Sequence, residues 1–182
     1  KRIEGTDFFQ TTLPSSVLST THYKLNIITK SGQSIAQYDP YTFGTQLSEY
    51  DQHLFSEGVH WHIYKKLGAH LHSVDNIKGV LFTVWAPNAA RVSVISDFNH
   101  WDGRYHPMRN LGSSGIWEIF IPEITEGCLY KFEILNKDTQ NISKITVKEK
   151  PDIELTINHE SDAEKNKVLE ELNLKTKDIF AK

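Results

Sequence analysis

Four short apolar segments, each alternating in polarity and each closed by turn-forming residues, constrain this chain more than anything else in it. They are Val80-Leu81-Phe82-Thr83-Val84-Trp85, Arg91-Val92-Ser93-Val94-Ile95-Ser96, Ile116-Trp117-Glu118-Ile119-Phe120-Ile121 and Leu129-Tyr130-Lys131-Phe132-Glu133-Ile134. Ala86-Pro87-Asn88, Asp102-Gly103, Gly112-Ser113-Ser114-Gly115 and Glu126-Gly127 punctuate them, residues that suit tight turns because proline fixes φ and glycine tolerates positive φ. Alternation with period two sends successive side chains to opposite faces, so each segment reads as a half-buried strand. Short strands at this spacing predict a mainly β fold, a β-sandwich. Its centre is the polar run Asp97-Phe98-Asn99-His100-Trp101-Asp102-Gly103.

Composition sets the outer bounds. At 182 residues the chain can hold one sizeable core, or one domain with added pieces, but not a TIM barrel, which takes roughly 250 residues. Formal net charge is −3, and lysines and arginines are scattered, so nothing marks a nucleic-acid or anionic-membrane surface. Cys128 is the sole cysteine and cannot form an intrachain disulfide; with no basic-then-apolar opening segment, a cytoplasmic location is expected. No apolar run reaches bilayer length. Met108 is the only methionine, so the chain is expected to be a fragment or a trimmed product.

Along the chain, residues 1–44 contain an echo of the centre. Phe8-Phe9-Gln10-Thr11-Thr12-Leu13-Pro14 followed by Tyr23-Lys24-Leu25-Asn26-Ile27 parallels Trp117 to Pro122 followed by Tyr130-Lys131-Phe132-Glu133-Ile134. Residues 1–44 are therefore expected to be the C-terminal half of a preceding tandem sandwich, with Ser31-Gly32 as a hairpin turn and Asp39-Pro40-Tyr41 as its end. Between 45 and 78 the period changes: Phe43, Leu47, Tyr50 and Leu54 share one face of a short helix, with Thr45 as its predicted N-cap. That stretch reads as a helical connector packed against the sandwich. Residues 79–150 form the central module, with a closing strand over Ile142 to Val147. In 151–182, Ile153 to Ile157 alternates like one more strand, and Ser161-Asp162-Ala163-Glu164 has capping-box form ahead of a C-terminal helix.

Val84-Trp85-Ala86-Pro87-Asn88-Ala89, Val92-Ser93-Val94, the run Asp97 to Gly103 and Tyr130 to Ile134, in that order, resemble the immunoglobulin-like glucan-binding module that precedes the barrel in bacterial glycogen branching enzymes. Asp51 to Gly58 and Tyr64-Lys65-Lys66-Leu67-Gly68-Ala69-His70 resemble the segment leading into it. The resemblance covers about residues 39–134. It implies an immunoglobulin-like sandwich, an α-glucan ligand (glycogen or maltooligosaccharide), a catalytic barrel elsewhere in the parent protein as partner, and no activity in this chain alone. Two alternatives stay open: a stand-alone glycogen-targeting or interaction module, and a scaffold without glucan affinity.

The resemblance maps sugar contacts onto Trp101 and Lys131. A tryptophan held at a turn offers a flat apolar face to the C–H side of glucose, and alternation sends Lys131 outward if Tyr130 and Phe132 point into the core. Asn99 is a third candidate sugar contact, although short polar residues at turns commonly satisfy their own backbone, which is the expectation for Asp97. Asp138, Thr139 and Gln140 occupy the region where a second stacking aromatic would stand. Trp85 and Trp117 are expected in the core. The pairs His60-x-His62 and His70-x-His72 lack the converging ligands and second shell of a zinc site, and Asp97, Asp102 and Glu118 do not read as a glycosidase pair. No metal, cofactor or catalytic residue is expected.

Overall fold

A computed structural model describes residues 2–6, 8–12, 14, 22–29, 31–146 and 156–157. The chain divides into two compact units, Lys1–Phe43 and Gly44–Lys182. In the first, strands β1 (Lys24–Ile28) and β2 (Ser34–Tyr38) form an antiparallel hairpin in register from Lys24↔Tyr38 to Ile28↔Ser34. Gly32, at φ 84°, lets the connection reverse tightly, and Gly32 N–H donates to the Thr29 carbonyl at 2.9 Å. Asp39 ends β2 by capping a 3-10 turn, Pro40–Thr42, through the amide of Tyr41. Among the described residues, 8–14 contribute only the isolated bridge Arg2↔Phe9 rather than the strand expected there.

The second unit contains the sandwich. One sheet runs β3-β4-β7-β6 and the other β10-β9-β8-β5, with every pairing antiparallel. The strands are β3 (Gly68–Val74), β4 (Ile77–Trp85), β5 (Ala89–Ser96), β6 (Arg109–Asn110), β7 (Ile116–Pro122), β8 (Tyr130–Asn136), β9 (Ile142–Thr146) and β10 (Thr156–Ile157). Val80, Phe82, Trp117, Ile119 and Ile121 face Val92, Val94, Met108 and Phe132 across the core. Burying each such side chain contributes about 1.5–3 kcal/mol. Phe82 meets Tyr130 and Phe132 edge-on, with centroids 5.0 and 6.5 Å apart; Trp117 Nε1 donates to the Ala86 carbonyl at 3.0 Å, which makes a buried indole tolerable. Gly79 sits where a Cβ would run into the Ile121 carbonyl oxygen, so only glycine lets β4 and β7 approach there.

β4 and β7 are buried on both faces. The cover of the outer face is the arm 44–67. Helix α1 (Glu49–Ser56) begins at Ser48, whose Oγ accepts from the Asp51 amide at 3.0 Å. The predicted N-cap at Thr45 is thus displaced: Ser48 has the hydroxyl at the position where an orphan helix amide needs an acceptor. Leu47, predicted on the helix face, is buried just ahead of it. The buried Glu118 carboxylate ties the arm down, accepting from the amides of Gln46 at 2.8 Å and Leu47 at 2.7 Å. β3 pairs with β4 over Gly68↔Thr83 to Val74↔Ile77, so it is a sandwich strand within the stretch read as a connector. Trp85, expected in the core, is instead 40% exposed on the outer face, with the edge of Phe55 against it. The expected C-terminal helix and most of the strand over 153–157 lie outside the described residues.

Candidate glucan-binding surface

β5 runs out at Ser96 into a 3-10 turn, Asp97–Asn99. The Asn99 side chain welds that turn to the strand it left. Its Oδ1 accepts from the Ser96 amide at 2.8 Å, and its Nδ2 donates to the Val94 carbonyl at 2.8 Å and to His106 Nδ1 at 2.9 Å. The turn closes with His100 N–H on the Asp97 carbonyl at 3.2 Å and Trp101 N–H on the Ser96 carbonyl at 2.9 Å. This paired closure is a Schellman motif, which calls for a left-handed residue and usually finds glycine. Here His100 (φ 57°) and Trp101 (φ 59°) both adopt that conformation. It costs about 1–2 kcal/mol per L residue, and a bulky side chain there is a true outlier. Strain of this kind persists only where the surroundings over-determine it, and Asn99 supplies that constraint.

The consequence is a fixed indole. Trp101 Nε1 donates to Asp97 Oδ1 at 2.7 Å, and the Lys131 ammonium sits 5.8 Å from the ring centroid, within cation–π range. Lys131 lies opposite Ile95 on the outer face of the β5–β8 pair, while Phe132 is buried in the core and Tyr130 packs against it. Beside Lys131, Glu133 Oε1 accepts from Arg91 Nη2 at 2.9 Å, and Lys144 Nζ stands 3.7 Å from Glu133 Oε2. Gly103 is pressed onto this row: a Cβ there would strike the Glu133 carboxylate. The loop is therefore tied to the sheet at one end by Asn99 and lies close against it at the other, at Gly103. Hydrogen bonds from the Arg104 side chain and backbone hold the Asp102 carboxyl down at about 2, and burial pushes His106 down to about 4.

Trp101 and Lys131 are thus brought together, both partly exposed. Asn99 is not with them. It is only 2% exposed and its amide is spent inside the protein, so the direct sugar contact expected of Asn99 is replaced by a framing role. Asp97, expected to serve its own backbone, instead receives the indole. Asp138 donates its amide to Asn136 Oδ1 at 2.8 Å in the β8–β9 turn, and that turn offers no second ring. Among the described residues no three His, Cys, Asp or Glu side chains are grouped as a metal site requires. His60 pairs with Asp51 at 2.9 Å, His70 with the Leu67 carbonyl at 2.9 Å and His72 with Gln46 Oε1 at 3.1 Å. Two signals for the frame were in the sequence. Ser96 and Asn99 have capping-box spacing, and Asp97 and Trp101 are four apart, one helical turn.

Comparison with known proteins bears on this surface. The family described as carbohydrate-binding module 48 (isoamylase N-terminal domain) matches residues 66–150. The chain is 54% identical over 138 residues to the 1,4-alpha-glucan branching enzyme GlgB of Cellvibrio japonicus, covering 76% of this chain and 19% of that protein. It is 53% identical over 137 residues to the corresponding enzyme of Methylococcus capsulatus, covering 75% and 18%. With that of Rhodospirillum rubrum it shares 57% identity over 100 residues, 55% of this chain and 14% of that one. The chain spans about a fifth of the length of the first two.

Proposed function

Given that residues 66–150 match the family described as carbohydrate-binding module 48, in a chain similar to part of 1,4-alpha-glucan branching enzymes, we propose that this chain holds an α-glucan on Trp101 and Lys131. The chain is non-catalytic. The glucan is glycogen or a maltooligosaccharide, and the module orients it for a catalytic domain that transfers an α-1,4 segment to an α-1,6 position. The observation that carries this reading is the indole locked beside the ammonium, with the ring–centroid distance of 5.8 Å. A ring already fixed loses little rotamer freedom when a sugar stacks its C–H face on it. The ammonium can donate to sugar hydroxyls at the ring's edge.

Electrophoresis through a gel containing glycogen tests the reading. The chain is expected to be retarded, and Trp101→Ala to run as in a glycogen-free gel. A wild-type chain that is not retarded favours a scaffold without glucan affinity. Incubation with amylose followed by iodine staining is expected to leave the stain unchanged.

A further inference from the structure

The imidazole of His106 stands where its proton has to be on one particular nitrogen. Residues 106–108 return beside β5: Val94 N–H donates to the His106 carbonyl at 3.0 Å and Met108 N–H to the Val92 carbonyl at 2.7 Å, with an isolated bridge between Ser93 and Pro107. The backbone therefore sets where the side chain starts. Phe98, in the turn itself, meets the ring edge-on with centroids 5.4 Å apart.

Asn99 is the partner that makes the tautomer matter. Its side-chain oxygen faces the Ser96 amide, which can only donate, and its nitrogen faces the Val94 carbonyl, which can only accept, at 2.8 Å each. Those two backbone groups leave the amide no flipped alternative. One Nδ2 hydrogen is used on Val94, and the other is left for His106 Nδ1 at 2.9 Å. Nδ1 must therefore accept, and the ring carries its proton on Nε2. A proton on Nδ1, in a neutral or a cationic ring, sets N–H against N–H and costs Asn99 a hydrogen bond. Burial, which holds the ring at about 4, keeps it uncharged near neutral pH.

We propose that His106, as its Nε2–H tautomer, is a positioning residue for the Trp101 platform. It acts through Asn99 rather than on the sugar. Asn99 ties down the turn whose next two residues, His100 and Trp101, sit at positive φ (57° and 59°), and His106 Nδ1 completes the hydrogen bonding of Asn99. Without an acceptor at Nδ1 the amide has one donor unpaired, and the left-handed pair loses part of the constraint that maintains it. The indole then spends less time on Asp97 Oδ1 and beside Lys131, so a glucan has to order the ring before stacking on it, at a cost in affinity. This rests on the reading of Trp101 and Lys131 as the glucan contacts and deepens it.

Nitrogen-15 spectra of the 182-residue wild-type chain at pH 7 test the tautomer with no substitution at all: His106 Nδ1 is expected in the unprotonated range and Nε2 in the protonated one. A protonated Nδ1 overturns the proposal. Two variants then test the positioning. His106→Leu keeps an apolar side chain and removes the acceptor, whereas His106→Asn brings an amide oxygen near the place of Nδ1. In His106→Leu the Trp101 indole N–H resonance is expected to shift or broaden, and apparent glycogen affinity by gel retardation to fall roughly three- to tenfold, as the loss of one hydrogen bond allows; His106→Asn is expected to restore both. Equal effects of the two variants, or none in His106→Leu, overturn the proposal, since the imidazole then only fills space. Should His106→Leu fail to fold, His106→Asn decides: an indole resonance placed as in the wild type supports the role, and a displaced one ends it. A wild type that glycogen does not retard, with the indole still responding to the two variants as described, removes the glucan reading and leaves the positioning of the ring standing.

Discussion

Asn99 shows how a small polar side chain can matter to binding without touching the ligand. Its amide serves the Ser96 amide, the Val94 carbonyl and His106, so Asn99→Ala strands buried polar groups at about 1–3 kcal/mol each. The expected outcome is a fall of roughly 2–4 kcal/mol in unfolding free energy by urea titration, with weaker glycogen retardation. Asp97→Asn is milder: a neutral oxygen can still accept the indole proton, so the fold stays and glycogen affinity falls by less than in Asp97→Ala. His106 adds a pH dependence. Its folded pKa, about 4, lies below the ordinary 6.5, so below pH 6.5 the unfolded chain takes up a proton that the folded one refuses. Stability is full above about 6.5 and declines as pH falls towards 4, by roughly 2–3 kcal/mol; urea titrations at pH 7 and pH 4.5 on wild type and His106→Phe would show the difference. The placement of Trp101 at a turn and of Lys131 on the outward face of its strand was legible from their turn and strand motifs. The left-handed backbone at His100 and Trp101 was not, because neither is a residue that announces positive φ.

At the scale of elements, the strands were readable because each alternates and is bounded by turn residues. β3 was harder: Gly68-Ala69-His70-Leu71-His72-Ser73-Val74 carries polar residues on the face the arm helps to cover, so its alternation is weak. Its turn to β4 is Asp75-Asn76, both at positive φ (48° and 65°), the pattern of a two-residue hairpin loop. Trp85 misled for the opposite reason, being apolar in an alternating strand yet set on the outer face near its end. The Glu118 clamp belongs to this scale too. Glu118→Ala removes the acceptor for the Gln46 and Leu47 amides, and those amides are expected to exchange with deuterium at least about tenfold faster, while core amides of β8 change less. Similar protection of Gln46 and Leu47 in both proteins would show that packing alone holds the arm.

Across the whole molecule, the two units differ in what holds them. Every residue of β1 is exposed, as are four of the five in β2, whereas β4 and β7 carry long buried runs. Exchange mapped by mass spectrometry is therefore expected to label the 24–38 hairpin well before 80–84 and 116–121. Of the echo between the chain's start and its centre, the strand at Lys24–Ile28 and the turn at Ser31-Gly32 are found, whereas the strand expected over 8–14 is not found among the described residues, since a repeat of strand patterns carries no information about partners.

The arm that shields the outer face of β4 and β7 also precedes both in the sequence. During translation the lid leaves the ribosome before the sticky surface it will cover, so a nascent sheet always finds its shield already made. A circular permutant that begins at residue 68, and so carries 44–67 at its C-terminal end, reverses that order. It is expected to give more insoluble product on cell-free synthesis than the natural order, and a similar yield when refolded from denaturant as a complete polypeptide.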